Sequence, residues 1–252
     1  MVALMELVHH ANEVLEIQKF HDYAPNGLQV EGARDIKRLV TGVTANLALL
    51  EAAVEEKADA VMVHHGYFWK SESQPVVGMK RNRLKVLLEN DISLLAYHLP
   101  LDAHEVWGNN AQLAQLNGWE IQGRFGSGKT PLGFYGVLPR FIELQSFCQD
   151  VGRVLGRPVQ LIDGGGSSDV KRLAWCSGAA QTYLEEAASL GVDLFLSGEI
   201  SEQTVHIARE MGVHYVAAGH HATERYGVSC FGAYIAEKFQ ISHQFIDIEC
   251  PV

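Results

Sequence analysis

The sequence has few of the features that mark disulfide-rich or membrane-spanning proteins. Its 252 residues include only four cysteines, and none of them forms a C-x-x-C pair, which argues against a thiolate zinc site and a disulfide scaffold. No apolar run is long enough to cross a bilayer, and the first residues lack the pattern of a signal peptide. We therefore expect a soluble, cytoplasmic protein without a membrane partner.

Basic residues are also scarce. The chain has 20 Lys and Arg against 30 Asp and Glu, so its formal net charge is −10. A broad nucleic-acid interface needs clustered positive charge and is not indicated, although bound cations could still create a positive centre. The hydrophobic content of 47% is that of an ordinary globular protein, and the length suits one large domain or two smaller ones.

Apolar runs and apolar periodicity alternate along the chain. Short apolar runs predict nine strands, at 38–41, 58–63, 92–97, 133–138, 159–162, 172–176, 192–196, 214–217 and 242–248. Helical spacing of apolar residues predicts helices at 45–56, 81–89, 141–155, 182–190 and 202–211. This alternation indicates an α/β fold in which helices cover a largely parallel or mixed sheet.

A weak internal repeat suggests two related halves. The 28 residues from Arg38 and the 28 from Arg172 share 7 identities without a gap, where chance gives about two. The turn-rich segment Gly123–Thr130 divides the chain near its middle. We therefore predict two α/β lobes that arose by duplication, at 1–122 and 123–252, which could exchange segments and hold a ligand site between them.

Histidines and carboxylates follow the predicted strands at four separate places. They are His64, His65, His98, Asp102, Glu199, His220 and Glu224. The carboxyl ends of strands in α/β proteins form the rim where ligands bind, so we expect these side chains to converge. Histidine and carboxylate ligands without cysteine suit iron, zinc, manganese, cobalt or nickel. Three histidines and two carboxylates from this set would already be too many for one tetrahedral ion but fit two ions, and such pairs activate water for hydrolysis.

The spacing of these residues is informative and leaves alternatives open. His98 and Asp102 are four residues apart, as are His220 and Glu224, which places each pair on one face of a helical turn. Glu199 occupies the position of His65 in the repeat. Asp102 and Glu199 could instead be acids at helix N-termini, and one of the two adjacent histidines could be a buried structural residue. The remaining histidines we interpret as structural or exposed: His9, His10, His21, His206, His214 and His243.

Two further motifs have simpler explanations. Gly123–Thr130 matches the phosphate-binding pattern G-x-x-x-x-G-K-[ST], but the residues that follow predict a strand where that motif needs a helix. We therefore predict a polar loop. The basic segment Met79–Lys85 predicts the solvated face of a helix, although it could attract an anionic substrate.

Several stretches resemble the YbgI-like branch of the NIF-three-like family, whose members are often labelled GTP cyclohydrolase 1 type 2 homologues. They include DYAPNGLQVEG, ADAVMVHHGYFWK, GNNAQLA, SGEISEQTVHIARE and AAGHHATER, and they cover most of Asp22–Leu116 and Arg172–Arg225. The middle of the chain, Gly123–Ser168, is the part that resembles the family least.

The resemblance implies a dinuclear site for two divalent metal ions per chain. Its ligands would be His64, His65, Asp102, His220 and Glu224, with Glu224 as a bridge between the ions. His98, Glu199 and His221 would orient ligands, and Glu199 or His98 could serve as the general acid or base.

The family also implies an assembly and an activity. Its members form ring-shaped homohexamers, built as trimers of dimers. The implied activity is that of a metal-dependent hydrolase, and the family label points to a guanine nucleotide that is opened with release of formate. The alternatives are a non-catalytic, metal-dependent scaffold or regulatory hexamer, and a nucleic-acid enzyme connected with DNA repair.

Overall fold

The computed structural model describes all residues, Met1–Val252, and consists of two compact units. The first unit contains Met1–Gly108 and Gly227–Glu249, and the second contains Asn109–Tyr226 and Cys250–Val252. One helix therefore begins in the second unit and ends in the first. The division into domains at 1–122 and 123–252 stays a prediction. None of the helices combines the length and the apolar character that a membrane span requires.

Thirteen strands and nine α-helices make up the two units. The strands are β1 (Val2–Ala3), β2 (Gly27–Val30), β3 (Asp35–Ile36), β4 (Arg38–Thr44), β5 (Ala60–His65), β6 (Ser93–Ala96), β7 (Glu120–Phe125), β8 (Gly133–Glu143), β9 (Gln160–Ile162), β10 (Asp169–Cys176), β11 (Leu194–Ser197), β12 (His214–Ala217) and β13 (Ser242–Phe245). The helices are α1 (Leu4–Val14), α2 (Leu47–Glu55), α3 (Gly78–Glu89), α4 (Leu99–Ala103), α5 (Asn109–Asn117), α6 (Leu144–Leu155), α7 (Leu184–Ser189), α8 (Glu202–Met211) and α9 (His220–Phe239). Short 3-10 turns lie at Ile17–Lys19 and Gln181–Tyr183.

The first unit is built on a five-stranded sheet of order β13-β4-β5-β6-β2. Its first four strands are parallel and β2 is antiparallel to β6. Alternate residues of β4 point to opposite faces, so Leu39 packs with α1 and the later turns of α9 while Val40 packs with α2 and α3. Both faces of the sheet are therefore covered by helices, and its strands end at a rim left to polar residues.

The second unit repeats this plan on a six-stranded sheet of order β7-β8-β10-β11-β12-β9. The strands β10, β11 and β12 are parallel, and the other strands are antiparallel to their neighbours. Leu173 of β10 packs with α6, whereas its neighbour Ala174 packs on the opposite face with α7 and α8. The fold class predicted from the sequence, two α/β halves with mixed sheets, is confirmed.

The strand register agrees with the internal repeat. Leu39 pairs with Ala60 in the first sheet, and Leu173 pairs with Leu194 in the second, each 134 residues further along the chain. The same offset thus relates β4 to β10 and β5 to β11, as duplication of one strand–helix–strand segment predicts.

Two elements differ from the sequence-based expectation. Residues 141–143, predicted as helix, continue β8, because Ile142 pairs with Val170 and Glu143 begins α6 as its N-cap. The long helix α9 was not predicted beyond its first turn. It contains Gly227 and Gly232, which lower helix propensity, and it lacks a clear apolar stripe. A side chain at Gly232 would lie 2.5 Å from Thr41, so close packing explains the glycine.

Candidate metal centre

His64 and His65 end strand β5 with their rings close together. The ring centroids are 4.6 Å apart, and His64 is completely buried while His65 is partly exposed. The backbone carbonyl of Tyr97 lies 2.9 Å from Nδ1 of His64. Because a carbonyl only accepts, this contact places the proton on Nδ1 and leaves Nε2 as the unprotonated nitrogen. Such a backbone contact is how proteins orient a metal-binding imidazole.

A third imidazole joins this pair from the next strand. His98 follows β6, and its ring centroid lies 5.2 Å from that of His64 and 5.7 Å from that of His65. One nitrogen of each of the three rings lies within 4.8 Å of the others. One ion could touch all three nitrogens at this spacing, so the residues fit a divalent metal that prefers imidazole.

His98 is held by two residues that were not predicted from the sequence. The buried carboxylate of Asp22 accepts from Nδ1 of His98 at 2.7 Å, and Asn26 accepts from the His98 backbone N–H. Burial raises the pKa of Asp22, but hydrogen bonds from His98, Asn26 and a backbone N–H outweigh it and hold that pKa below its usual value. The carboxylate therefore stays charged and turns Nε2 of His98 toward the other rings. The sequence signal was Asp22 and Asn26 four residues apart in DYAPN.

Asp102 lies in the same unit, on the short helix α4. Its Oδ1 is 3.6 Å from Nε2 of His64, and the residue is 6% exposed. Its backbone N–H donates to the His98 carbonyl, so the predicted helical turn from His98 to Asp102 is present. His104, in contrast, accepts from the backbone N–H groups of Val106 and Trp107 and shapes the turn after α4.

The second unit carries its own group of candidate ligands. His220 and Glu224 occupy the first turn of α9, with Nε2 of His220 3.0 Å from Oε2 of Glu224. Glu199, just after β11, accepts from Nδ1 of the same ring at 2.7 Å. Burial lowers the pKa of His220, but the two carboxylates more than compensate and raise that pKa to about 9. A divalent cation at Nε2, in place of the second proton, would satisfy Glu224 and leave the Nδ1 proton to Glu199.

A glycine makes room for this pair. Gly178 has a φ of 63°, and a Cβ there would lie 2.2 Å from Oε1 of Glu224 and 3.2 Å from Nε2 of His220. Its N–H donates to the hydroxyl of the buried Thr223. Any side chain at position 178 would therefore displace the carboxylate. Neither Gly178 nor Thr223 was recognised from the sequence, since a single glycine in a predicted loop carries no specific signal.

The structure also decides two of the alternatives left open by the sequence. Glu199 is not the acid at the start of α8, because Ser201 caps that helix together with Thr204 and Glu202 lies in its first turn. The first three residues of Gly123–Thr130 end β7 and the rest form the loop that leads into β8, so the helix that a phosphate-binding loop needs does not follow the segment. The prediction of a loop is therefore confirmed for residues 126–130 and wrong for residues 123–125, which pair with β8.

Three of the other histidines make contacts typical of structural residues. His10 meets the hydroxyl of Tyr234, His243 meets that of Thr41, and buried His214 holds Gly164 and Ser167. The basic segment 79–85 lies on α3, where Lys80 and Lys85 face Glu72 and Glu89 across the surface. His221 is half-buried, and its backbone N–H donates to the carbonyl of Val252.

Comparisons with known proteins agree with the sequence resemblance. The family model DUF34/NIF3 (NGG1p interacting factor 3) matches residues 2–251. A Pseudomonas aeruginosa protein named "GTP cyclohydrolase 1 type 2 homolog" is 53% identical over 99% of this chain and 98% of its own length. An Escherichia coli K12 protein of the same name is 49% identical, with 98% of each chain covered.

Solved structures show the same fold. The protein ybgI, described as of unknown function, superposes with a TM-score of 0.96 at 48% identity, with 100% of both chains covered. A Thermus thermophilus protein reaches a TM-score of 0.90 at 33% identity over the full length of both chains. With a family model that spans nearly the whole chain and relatives at half identity, the protein belongs to the DUF34/NIF3 family.

Proposed function

We propose that this protein is a metal-dependent hydrolase with a dinuclear centre for two divalent ions. The ligands would be His64, His65 and Asp102 from the first unit and His220 and Glu224 from the second. The observation that carries the proposal is the pair of imidazoles at the end of β5, His64 and His65, whose nitrogens lie within 4.8 Å of each other and of a nitrogen of His98, which would orient them or transfer protons beside the ions. Two of these rings are held through Nδ1, by Tyr97 and Asp22.

The carboxylates supply the charge that the ions would need. Glu224 is 3% exposed and Asp102 is 6% exposed. Buried carboxylates are costly unless a cation or several hydrogen bonds compensate them, and two divalent ions would do so. Glu224 has two oxygens and can serve both ions, which is the role we assign to it. The ions would be iron, zinc, manganese, cobalt or nickel, all of which accept imidazole and carboxylate ligands.

The residues around the centre have separate tasks. Bound divalent ions supply Lewis acidity and lower the pKa of water. Asp22 keeps the proton of His98 on Nδ1. Glu199 accepts from Nδ1 of His220 and is more exposed than Glu224, with a side chain 36% exposed against 4%. Glu199 can therefore exchange a proton with solvent or substrate, so we propose it as general acid or base, with His98 as the other candidate.

The substrate proposal follows from the name of the relatives. "GTP cyclohydrolase" describes the opening of a guanine nucleotide, and we extend it to this chain as a ring opening at C8 that releases formate. The proposed assembly is the ring-shaped homohexamer that the family resemblance implies, a trimer of dimers. Light scattering on the purified protein measures its mass directly, and a monomer would contradict the assembly.

The test of the proposed function combines metal analysis with turnover. Protein reconstituted with each candidate metal is incubated with GTP, and formate release is measured beside His64→Ala. We expect two ions per chain and formate release in the wild type, and loss of the ion bound by His64 together with all formate release in the variant. Two ions without turnover of GTP or of any phosphoester would favour the non-catalytic scaffold. Salt-dependent binding of single-stranded DNA would favour the nucleic-acid enzyme.

A further inference from the structure

A cleft of about 600 Å³ opens in the second unit beside Glu199. Its walls include Arg157, Gly219 and the terminal residues Pro251 and Val252. This volume is within the range of small-molecule sites, which span roughly 300–1,000 Å³. The cleft therefore has room for a ligand the size of a nucleotide, and Glu199 connects it to His220.

Arg157 is the unusual residue of this cleft. Its Nη1 is buried and has no hydrogen-bond partner in the protein. The guanidinium packs directly on Gly219, where a Cβ would lie 2.3 Å from Nη1. Gly219 has a φ of 100°, so both its conformation and its neighbour exclude a side chain. Arg157 is partly exposed as a residue and lines the cleft, but its Nη1 is buried. Buried N–H groups are usually hydrogen-bonded, so this unsatisfied one indicates that a partner is missing.

The geometry of the guanidinium identifies the class of the missing partner. Arginine presents five N–H donors in a planar fork and accepts none. Phosphate oxygens match this fork in a bidentate arrangement, and the charge-assisted bonds are about twice as strong as neutral ones. A phosphate group would therefore satisfy Arg157 in charge and in hydrogen bonding.

Glu199 sets the orientation of such a ligand. Its carboxylate lines the same cleft and already accepts from Nδ1 of His220 at 2.7 Å. Its negative charge repels the phosphate group of the ligand, and its oxygens can still accept a hydrogen bond from an N–H or O–H of the ligand. The phosphate end is thus directed to Arg157 and a hydrogen-bond donor end to Glu199.

We infer that this cleft binds a small phosphomonoester, with Arg157 as the anion-binding residue and Glu199 as the acceptor at the opposite end. The inference rests on the proposed function in two respects, because the donor end of the ligand would lie beside the proposed metal ligand His220 and because the guanine nucleotide used as probe is the proposed class of substrate. Arg157 itself is neither a metal ligand nor a catalytic residue in this scheme.

Calorimetric titration with GMP and with guanosine tests the inference on the intact protein. We expect wild-type protein to bind GMP more tightly than guanosine, and Arg157→Gln to weaken GMP binding by about 10–100-fold, as loss of a charge-assisted pair predicts. Guanosine binding should not change, because guanosine lacks the phosphate. Arg157→Lys keeps the positive charge but not the planar fork of donors, so its affinity for GMP should lie between those of the wild type and Arg157→Gln. Arg153→Gln is the control, because Arg153 is exposed and pairs with Asp150 at 3.0 Å.

The outcomes separate this inference from the proposed function. Equal GMP affinity of wild type and Arg157→Gln would overturn it, as would equal affinity for GMP and guanosine, or no GMP binding in the millimolar range. Titrations with and without chelator, with the metal content of each sample measured, show whether GMP binding depends on the ions. Wild-type protein that binds no metal would contradict the proposed metal centre, and the comparison of GMP with guanosine would still test the cleft.

Discussion

The two units share an aspartate that accepts hydrogen bonds from the backbone at the start of a strand, and we call this contact the anchor. They differ in the residues at the ends of their strands. Asp59 accepts from the backbone N–H groups of Lys37 and Arg38, and Asp193 accepts from those of Lys171 and Arg172, at distances of 2.7–2.8 Å. Each arginine in turn donates to a carbonyl at the end of the following helix.

Three of the seven identities of the repeat lie among these structural residues. Arg38 and Asp59 recur as Arg172 and Asp193, and Leu39 recurs as Leu173, which is likewise fully buried. At the strand ends, in contrast, His64 and His65 of the first unit correspond to Gly198 and Glu199 of the second. The duplicated segment thus retained the residues that hold the fold and changed those at the rim. The first unit became rich in imidazole and the second richer in carboxylate.

The largest expected effect breaks the imidazole group. His64→Ala removes a fully buried ring, and we expect it to abolish metal binding at its ion and all metal-dependent turnover. Elemental analysis of purified protein measures this loss. His9→Ala is the matched control, because His9 is exposed and only pairs with Glu13 on α1. Full metal content in His64→Ala would remove this residue from the centre.

Removal of the ions tests whether both units depend on them. A ligand at a thousand times its Kd stabilises the folded state by about 4 kcal/mol, so chelation should lower the midpoint of thermal unfolding. Hydrogen exchange before and after chelation should show loss of protection in α4 of the first unit and in the first turn of α9 in the second. A loss confined to the first unit would exclude His220 and Glu224 as ligands.

The acid–imidazole pairs of the two units offer a finer comparison. Asp22 orients His98 and Glu199 orients His220, both at 2.7 Å. Because Glu199 orients the proposed ligand His220, we expect Glu199→Gln to reduce metal affinity by about 10–100-fold. Asp22→Asn should cause a smaller reduction, since its partner His98 is not among the proposed ligands. Competition with a fluorescent chelator measures both, and a larger loss of affinity in Asp22→Asn would make His98 a ligand.

The shared anchor should respond alike in both units. Asp59→Ala and Asp193→Ala each leave two backbone N–H groups without their acceptor, so each should reduce the free energy of unfolding by about 2 kcal/mol. Urea titration measures this free energy, and metal content should stay unchanged. A difference between the two variants larger than about 1 kcal/mol would show that the two anchors are no longer equivalent.

The smallest expected effect concerns a helix cap. The Glu143 carboxylate accepts from the backbone N–H groups of Gln145 and Ser146, which lowers its pKa. Its contribution to stability is present above the usual pKa of a glutamate and is lost as pH falls through the lowered value. Glu143→Gln should therefore make unfolding less sensitive to acid. In the first unit α2 is capped by Asn46, which does not titrate, so Asn46→Asp should add acid sensitivity.

Much of the fold could be predicted because its strands are apolar and buried on both faces. All nine predicted strands are present, and α8 has the predicted bounds of Glu202–Met211. The edge strand β7 escaped detection because its residues Glu120–Gln122 are exposed and lack alternation. Helix α9 escaped because packing against Thr41, rather than apolar periodicity, selects Gly232.

The site residues that could be predicted are the polar ones that directly follow a predicted strand. His64, His65, His98 and Asp102 follow their strands directly, and the first unit places all four near one another. Asp22 and Gly178 were not found, because their importance depends on His98 and Glu224, which are 76 and 46 residues away along the chain. A single sequence contains no signal for such long-range contacts unless the motif itself is recognised.

The path of α9 has a consequence for synthesis on the ribosome. Its residues Val228, Phe231 and Ile235 belong to the core of the first unit, and β13 pairs with β4. The polypeptide that reaches the exit tunnel first therefore cannot complete its core until residue 245 has been translated. Residues 109–226 emerge earlier as one block and can collapse before the last core residues of the first unit have been made. The first unit therefore completes its core only near the end of synthesis, although most of its chain is made first.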